Sequence, residues 1–231
     1  PERLLNIETG VKTYGKKWAA EIGLYHMGYQ DQLVATGALN DVGNNVRINV
    51  PNSFRQGVEL QGGVEISSRI RWDGNLTLSK NKIEEFDEIL YDYVSMIPTV
   101  IPITHLNTDI AFSPSVVAAS IIGIKVWSND KNSINFEHAA KFVGKQYLDN
   151  TSNDERSLPS YLVNDFVVRW SPESERGLSV SLFANNILNE MYSANGWTYS
   201  YLNGGVDAMV TENYVYPQAG RHGFINIEYR F

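Results

Sequence analysis

The sequence predicts an all-β protein built as an antiparallel transmembrane β-barrel. Three observations support this fold class: many aromatic residues, strands in which apolar and polar residues alternate, and connections that are short and long in turn. Aromatic residues form 12% of the 231 residues, with 13 Tyr and 5 Trp. Such residues are enriched in strands and at interfaces, so the composition favours β-structure.

Charge and cysteine content exclude several classes of function. The net charge is −7 and the isoelectric point is near 5.1, whereas phosphate binding needs a basic face, so we expect no nucleic-acid partner. The absence of Cys excludes disulfides, thiol catalysis and cysteine-ligated metals. The best candidate for a membrane helix, residues 110–124, is short and contains Pro114, so a membrane form would cross the bilayer as strands.

The first half of the chain predicts four strands. The first two strands are joined by the short sequence GKK, which predicts a hairpin. The connection after the second strand is rich in Gly and Asn, and the one after the fourth is acidic at its start. In order, the predicted elements are strand 5–13, strand 18–24, long connection 35–52, strand 58–66, a short bend at 69–74, strand 75–83 and long connection 84–108.

The second half repeats this pattern with five strands. Two of its turns, SNDKN and SPESERG, are polar and short. In order, the predicted elements are strand 115–127, turn 128–132, strand 133–148, connection 149–157, strand 158–170, turn 171–177, strand 178–192, long connection 193–213 and a terminal strand ending at Phe231.

Long and short connections therefore alternate along the chain. Periodicity alone fits two architectures equally, because the polar side of each strand could face water outside a soluble sandwich or inside a barrel. A soluble sandwich does not require all long loops to lie at one end. An outer-membrane barrel does, since its periplasmic turns are short and its external loops are long, and this pattern favours the barrel.

The terminal strand shows the two faces that a barrel requires. Its odd-numbered residues from Ile225 to Phe231 are apolar, whereas its even-numbered residues from Asn226 to Arg230 are polar. The same alternation in the other strands predicts charges of both signs on the inner face, which indicates a wet or plugged interior. The residues predicted to face the lumen are Glu8, Glu59, Asp165, Arg169, Asn226, Glu228 and Arg230.

The strand count suggests a larger assembly. About nine strands are predicted, but closed single-chain bacterial barrels have an even number of strands. An open nine-stranded sheet would also leave edges that lipid cannot satisfy. We therefore expect further strands outside this chain.

Several phrases carry the motifs of one protein family. PERLLNIETGVK (1–12) is similar to the Pro-Glu…Asn-x-Glu-x-Gly start of a late barrel strand, and VGKQYLDNTSN (143–153) with LPSYLVNDFVVRWSP (158–172) resembles two consecutive strand motifs. LFANNILNEMY (182–192) resembles an Asn-Ile/Leu-Leu/Phe-Asn…Tyr motif, and YPQAGRHGFINIEYRF (216–231) resembles the terminal strand. In this order and spacing, over essentially the whole chain, they resemble the TonB-dependent outer-membrane receptors.

This resemblance implies a position within a larger barrel. Residues 1–231 would be the C-terminal part of the receptor barrel, about the last nine of about 22 strands that surround a plug. The plug, its TonB-contacting segment and the earlier strands would lie outside this chain. The C-terminal aromatics Tyr229 and Phe231 would form the signal that the barrel-insertion machinery reads, and an interfacial position would also favour aromatic residues there.

The resemblance also implies a location and a set of partners. The location is the outer membrane of a Gram-negative bacterium, with connections 35–52, 84–108, 149–157 and 193–213 outside the cell. The partners are outer-membrane lipid and lipopolysaccharide, the plug with the remaining strands, TonB through the plug, the insertion machinery and a small metal chelate. No cofactor is implied.

The implied function is active import of a scarce nutrient, energised through TonB. Segment 29–60 is more similar to the iron-complex and siderophore branch than to the large glycan importers, so the expected substrate is a ferric siderophore or haem. Cobalamin or an oligosaccharide is the alternative within the family. The alternative of another class is a soluble extracellular β-sandwich that binds carbohydrate through Trp197 and the Tyr residues around it.

Two of the predicted external loops contain residues suited to ligand binding. Aromatic clusters in loops can hold planar or sugar-like ligands by stacking together with a polar edge. The alternative is that these residues pack on one another or on lipopolysaccharide. The candidate ligand-binding residues are Tyr91, Tyr93, His105, Trp197, Tyr199 and Tyr201.

We expect neither a metal site nor a catalytic site. The acidic run from Glu84 to Glu88 lacks the spacing of a calcium loop and better fits a solvated loop face. The four His residues are scattered along the sequence, and none has a partner at metal-site spacing. The sequence lacks Gly-x-Ser-x-Gly, a phosphate-binding Gly loop and His-Glu-x-x-His, so no enzyme is predicted.

Overall fold

The computed structural model describes residues 1–39, 45–172, 174 and 176–231. Parts of two predicted links, at 40–44 and at 173 and 175, lie outside these residues. As predicted, the described chain is almost entirely β-structure, with short 3-10 helices at Asp154–Arg156 and Val206–Ala208. The strands are β1 (Arg3–Tyr14), β2 (Trp18–Leu39), β3 (Asn45–Glu65), β4 (Ile70–Asp92), β5 (Thr99–Asp109), β6 (Val116–Ser128), β7 (Asn132–Val143), β8 (Gln146–Tyr147), β9 (Ser157–Leu158), β10 (Tyr161–Pro172), β11 (Gly177–Asn185), β12 (Ser193–Leu202), β13 (Met209–Pro217) and β14 (His222–Arg230).

Nine of these strands form one continuous antiparallel path. In the described part of the chain the order of neighbours is β1-β2-β3-β4-β6-β7-β10-β11-β14, so β1 and β14 are the edges and the sheet is not closed. This succession of antiparallel neighbours is the connectivity of an up-and-down barrel. Nine strands were predicted. None of the described helices is long and apolar enough to span a bilayer.

Short turns join the strands at one end of the sheet. Gly15 N–H donates to the Trp18 carbonyl at 2.8 Å, and the side chain of Asn129 accepts from the N–H groups of Lys131 and Asn132 at 2.9 and 2.8 Å. The turn between β3 and β4 lies at residues 66–69, and Ser67 N–H donates to the Ile70 carbonyl across it at 3.2 Å. The predicted bend at 69–74 is therefore mostly strand.

The predicted long connections at the other end are largely strands, which corrects their interpretation as irregular loops. β2 and β3 extend into the predicted link 35–52. Within 84–108, β4 and β5 pair on either side of a turn at 93–98, and within 193–213, β12 and β13 pair on either side of a tip at 203–208. Polar residues lie on both faces of these extensions, because neither face contacts lipid. Their sequences therefore lack the alternation that identifies a half-apolar strand.

The register separates a polar face from an apolar face. Residues directly opposite each other in an antiparallel pair share a face. One row across the first four strands is polar: Lys12, Glu21, Gln61 and Asn75. The neighbouring row on the other face is apolar: Val11, Ile22, Leu60 and Leu76.

The apolar face is exposed over the nine-stranded path. Val11 and Ile227, near its two edges, are 65% and 67% exposed. A soluble sandwich would need a second sheet to cover this face, but the second sheet found among the described residues is the two-residue pair β8–β9. The sandwich alternative is therefore wrong, and the exposed face is the surface that lipid covers in a membrane barrel.

Aromatic residues mark the short-turn end of the apolar face. Four of the five Trp residues lie there, close to the turns, and three of them are between 38% and 46% exposed. Tyr229 and Phe231 lie at the same end, with ring centroids 5.0 Å apart in an edge-to-face arrangement. Rings of this kind favour the membrane–water boundary. The four Trp residues are Trp18, Trp72, Trp127 and Trp170.

A small core lies where the strands extend past the lipid-facing rows. Its members are between 0% and 7% exposed. Full burial of each such side chain stabilises the fold by about 1.5–3 kcal/mol. The core therefore holds the extended strands together without help from lipid. It consists of Val34, Val50, Ile83, Phe86 and Ile110, with Ile48 packed against it.

At Gly57, on the inner face, there is no room for a larger side chain. A Cβ atom there would lie 2.5 Å from the Leu78 carbonyl oxygen, whereas a Cβ on Gly123, also on the inner face, would have no atom within 4 Å. We expect Gly57→Ala to reduce stability by about 1–3 kcal/mol because the neighbouring strand must shift. The fraction of detergent-solubilised protein that resists unfolding by dodecyl sulfate at rising temperature measures this.

The matched control is Gly123→Ala, which should unfold at the same temperature as the unaltered protein. Equal losses in both variants would show that the contact with Leu78 does not explain the result.

Candidate functional site

Six aromatic rings form a continuous row at the end of the molecule opposite the short turns. The row begins at the end of β4 and crosses onto β12 and β13. We call these residues the aromatic strip. Successive ring centroids are 6.4, 5.9, 5.8, 6.1 and 5.4 Å apart along the order Tyr91, Tyr93, Tyr201, Tyr199, Trp197 and Tyr214.

Strand alternation explains why three of these rings share a face. Trp197, Tyr199 and Tyr201 are two residues apart on β12, so their side chains point to the same side. Trp197 lies directly opposite Tyr214 on β13. The rings are partly exposed, with Tyr93 at 47% and Tyr214 at 52%, so one side of the strip is open to a ligand.

A pair of phenols joins the two halves of the strip. The hydroxyl oxygens of Tyr93 and Tyr199 are 3.2 Å apart. Burial, together with the hydrogen bond to Tyr93, raises the pKa of Tyr199 far above its usual range. The Tyr199 hydroxyl is therefore neutral at physiological pH, and either hydroxyl of the pair can be the hydrogen-bond donor.

A carboxylate clasp fixes the tip of the β12–β13 hairpin against β4. The carboxylate of Asp92 accepts backbone N–H bonds from Gly204 at 3.0 Å, from Gly205 at 2.8 Å and from Val94 at 3.1 Å. Gly204 and Gly205 have φ angles of 107° and 100°, which other residues rarely adopt. Leu202 also bridges to Asp92 in parallel fashion. The clasp brings the two halves of the strip together.

Beneath the hairpin, residues 144–160 form a compact segment with a buried charge network. We call this segment and the hairpins β4–β5 and β12–β13 the cap. Arg156 is 2% exposed, and its Nη1 lies 2.5 Å from Glu88 and 2.9 Å from Asp149. Burial alone would lower the pKa of Arg156, but the two carboxylates outweigh it and raise the pKa. Nη2 of Arg156 also contacts Met209 Sδ on β13 at 3.1 Å, so Arg156 links three segments of the chain: β4, residues 144–160 and β13.

The predicted ligand residue His105 belongs to this network and not to the strip. Its Nε2 lies 2.9 Å from Glu88, and its ring stacks on Phe86 with centroids 6.2 Å apart. The structure thus brings together five of the six predicted ligand residues and leaves His105 apart. Glu88, predicted to be on a solvated loop face, is 3% exposed, because strand alternation turns it toward the core.

The lumen-facing predictions fall on one face of the sheet. Glu8 lies opposite Tyr25 on β2, and Glu59 on β3 lies opposite Gly23 on the same strand. Because Gly23 and Tyr25 are two residues apart, Glu8 and Glu59 lie on one face. On the same face, Arg169 lies opposite Ser181 and Ser181 opposite Asn226. Strand alternation puts the remaining three predicted residues on this face as well, because each is an even number of residues from Arg169 or Asn226 on its strand: Asp165, Glu228 and Arg230.

A hollow on this inner face is acidic. It has a volume of about 680 Å³ and is floored by glycines such as Gly10 and Gly23. Glu8, Glu21 and Glu59 line it, with Arg55 as a basic residue. Lys12 lies 3.4 Å from Glu21, whereas Glu59 forms no ion pair within the described chain. The hollow therefore has unbalanced negative charge.

The NNILN phrase has a structural role that its sequence did not reveal. Asn186 and Asn189 have φ angles of 49° and 56°, a conformation that Asn tolerates. The Asn186 side chain donates to the carbonyls of Glu190 at 2.9 Å and Ala219 at 3.1 Å, and its N–H donates to Asp165 at 2.7 Å. The Asn189 side chain accepts from Arg221 N–H at 2.9 Å. These contacts hold the loop that follows β11 against the segment that precedes β14.

No metal-binding group of three or more His, Cys, Asp or Glu residues occurs within the described ranges. Sequence reasoning missed three residues that shape the site: Asp92, Arg156 and Tyr214. The paired glycines at 204 and 205 were a signal for a special backbone conformation, but their partner lies more than a hundred residues away along the chain. Arg156 carried no signal, because its partners come from separate segments.

These features define the class of protein: part of an outer-membrane β-barrel with a lipid-facing side, a polar inner side and a structured cap. The family model described as TonB dependent receptor-like, beta-barrel matches residues 1–187. The chain therefore belongs to the TonB-dependent receptor β-barrel family, as the sequence motifs predicted. This is a family of transport receptors and not of enzymes.

Solved structures share the fold. The ferric yersiniabactin uptake receptor FyuA from Yersinia pestis superposes with a TM-score of 0.67 and 18% identity, over 98% of this chain and 29% of that one. The siderophore receptor PiuA from Acinetobacter baumannii gives 0.65 and 16%, over 98% and 28%. The copper transporter OprC gives 0.67 and 15%, over 100% and 31%.

The chain spans less than a third of the length of these structures. A comparison with curated protein sequences gave no match.

The Asp92 clasp predicts a pH dependence. The backbone N–H bonds from Gly204, Val94 and Gly205 lower the pKa of Asp92. Its stabilising effect on the hairpin should be full above the ordinary Asp pKa of about 3.9 and should disappear as the pH falls through the lowered pKa. Limited proteolysis at residues 203–205 should therefore accelerate in acid, and Asp92→Asn should accelerate it already at neutral pH.

Asp207→Asn is the matched control, because Asp207 lies in the same tip and has no bonded partner in the described chain. It should leave the proteolysis rate unchanged. Equal rates for Asp92→Asn and the unaltered protein would contradict the clasp.

Because the ion pairs of Arg156 are buried and that of Lys145 is exposed, replacing Arg156 should reduce the stability of the cap more than replacing Lys145. Arg156→Met leaves Glu88 and Asp149 without their cation, which should cost about 3–5 kcal/mol of local stability. Lys145→Met removes an exposed pair with Asp154, whose side chains are 44% and 78% exposed, and should cost about 0–1 kcal/mol. Hydrogen exchange of the β12 and β13 amides measures both changes, and similar losses would refute the network's structural role.

Proposed function

We propose that the chain is the C-terminal part of the barrel of an active-transport receptor in the outer membrane of a Gram-negative bacterium. In this proposal the receptor imports a scarce nutrient, a ferric siderophore or haem, and is energised through TonB. Cobalamin or an oligosaccharide is the alternative substrate. The observation that carries the proposal is the aromatic strip, a partly exposed ligand-sized surface at the long-loop end of a barrel of this receptor family.

The orientation follows from the two ends of the sheet. Periplasmic turns of outer-membrane barrels are short and external loops are long, so the cap lies outside the cell. Lipid and lipopolysaccharide surround the apolar face. Tyr229 and Phe231, at the periplasmic boundary, serve as the C-terminal signal for the barrel-insertion machinery.

The inner face suits the docking of a plug. A row of charges and the acidic hollow around Glu8 and Glu59 would be costly against an apolar filler. They favour a plug surface that carries cationic side chains. In the proposed mechanism, ligand bound at the cap reaches the lumen when TonB displaces the plug.

The names of the structural neighbours support a metal-bearing substrate. FyuA is described as a ferric yersiniabactin uptake receptor, PiuA as a siderophore receptor and OprC as a copper transporter. Exposed Tyr and Trp rings bind the flat or apolar parts of organic ligands. Together these observations favour a metal held in an organic chelate.

Uptake of radiolabelled ferric chelates tests the proposal. The full receptor containing this chain is expressed in a host that lacks its own receptors for the same chelates. Accumulation should be saturable and should stop when TonB is deleted or the proton-motive force is collapsed. Uptake that persists without TonB would refute active transport, and a receptor that accumulates no ferric chelate would refute the substrate class.

Tyr199→Leu tests the role of the strip in the same assay. Losing one ring contact should weaken ligand binding about threefold to tenfold, with unchanged barrel folding. Tyr147→Leu is the matched control, because Tyr147 lies in the cap beside Lys145 and Asp154 and not on the strip. Equal effects of the two variants would show that the aromatic strip does not bind the ligand.

A further inference from the structure

The aromatic strip lies on two segments with one sign of charge. Residues 84–109 contain six carboxylates and residues 193–217 contain two, and neither segment contains a Lys or Arg. Cations from outside these segments pair with two of the eight, Lys82 with Asp109 and Arg156 with Glu88. The whole chain has 19 Lys and Arg against 26 Asp and Glu. A complete absence of basic residues from the ligand-facing segments is therefore a local feature and not a consequence of overall composition.

One of these carboxylates contacts a ring of the strip, and two others lie further along the same face. Asp87 and Glu85 are exposed and lie on the same face of β4 as Tyr91, about 13 and about 20 Å from it along the strand. Glu212 lies directly opposite Tyr199 and accepts a hydrogen bond from Tyr214 at 2.6 Å. The faces of the rings are themselves electron-rich and attract cations.

Cations are kept away from the strip. Within the described ranges, no Lys, Arg or His forms an ion pair, hydrogen bond or cation–π contact with its rings. Arg156, the buried cation of the cap, contacts Met209 Sδ at 3.1 Å. Met209 pairs with Leu202, which lies on the opposite face of the hairpin from Tyr201, and Glu88 and Asp149 already neutralise Arg156.

We propose that the strip selects ferric chelates of neutral or positive charge and disfavours polyanionic ones. This inference rests on the proposed function and narrows its substrate. Anionic chelates require cationic side chains for recognition, and these segments offer carboxylates, phenol hydroxyls and ring faces. A neutral or cationic siderophore therefore fits better than haem, whose two propionates are negative, or a ferric tris(catecholate), which is trianionic.

The expected discrimination follows from Coulomb's law. In water, two unit charges about 8 Å apart interact by about 0.5 kcal/mol, a factor of about two in affinity. A trianionic chelate meeting two or three carboxylates should bind at least about tenfold more weakly than a neutral one at low ionic strength. The difference should shrink with added salt, because these charges are exposed and screened.

Calorimetric titration of the detergent-solubilised full receptor tests this. The probes are a singly cationic and a neutral ferric tris(hydroxamate), ferric haem and a ferric tris(catecholate). Measurements are made at salt concentrations of about 0.01 M and about 0.15 M, where the screening lengths are about 30 Å and about 8 Å. The two tris(hydroxamates) should bind most tightly, and their advantage should be larger at the lower salt concentration.

A variant that replaces two carboxylates with neutral amides tests the role of charge directly. Glu85→Gln with Asp207→Asn removes two carboxylates that have no bonded partner in the described chain, so folding contacts are kept. This variant should improve binding of the tris(catecholate) about threefold to fivefold relative to the neutral probe. The matched control, Asp130→Asn with Glu65→Gln, removes the same charge at the short-turn end. It should leave the affinity for the tris(catecholate), relative to the neutral probe, unchanged.

Two results would overturn the inference. If the tris(catecholate) binds as tightly as the neutral probe, or if the two double variants behave alike, charge selection by the strip is wrong while chelate transport stands. If none of the four probes binds, the proposed substrate class fails together with the inference.

Discussion

The structure depends on one constraint: in hydrocarbon, each backbone N–H and C=O group of a strand must be paired with a neighbouring strand. This requirement keeps the register regular across most of the lipid-facing rows from β1 to β14, with a shift in the β6–β7 pair between Lys125 and Trp127, near the short-turn end. Because side chains alternate, a fixed register also fixes which residues contact lipid and which line the interior. The two faces, the aromatic boundary and the acidic hollow all follow from that pairing.

Past the membrane boundary the constraint is relaxed, because water can satisfy backbone groups. The cap uses a different set of interactions: carboxylate and amide side chains bonded to backbone groups of distant segments. Asp92 binds the tip of β12–β13, Asn150 bridges Ala35 and Ala111 at 3.0 and 2.9 Å, and Arg156 neutralises two carboxylates. A small apolar core supports them. The cap is therefore held by a few specific contacts between distant segments.

The sequence predicted the parts that repeat and missed the parts that do not. Alternation from Leu5 to Thr13 or from Ile225 to Phe231 identified strands and faces, because one side of each strand is uniformly apolar. The same rule failed at β5 and β12, where neither side is uniformly apolar. Trp197 and Tyr91 were recognised as candidate binding residues, but their proximity depends on Asp92 and Gly204, which meet only in the folded chain. Arg156 could not be identified because its burial comes from three separate segments.

The strand structure of the cap has a consequence for immune recognition. In the proposed orientation the cap faces the surroundings, and its hairpins are paired strands whose alternate side chains point in opposite directions. An antibody that approaches the hairpin β12–β13 would then encounter Trp197 and Tyr199 together with Tyr214 from the other strand. A free peptide covering residues 193–202 would present both faces in a flexible form and would lack the partner strand. Antibodies against the native surface would therefore recognise folded, discontinuous epitopes, and antisera raised against such peptides would bind the denatured chain better than the intact cell.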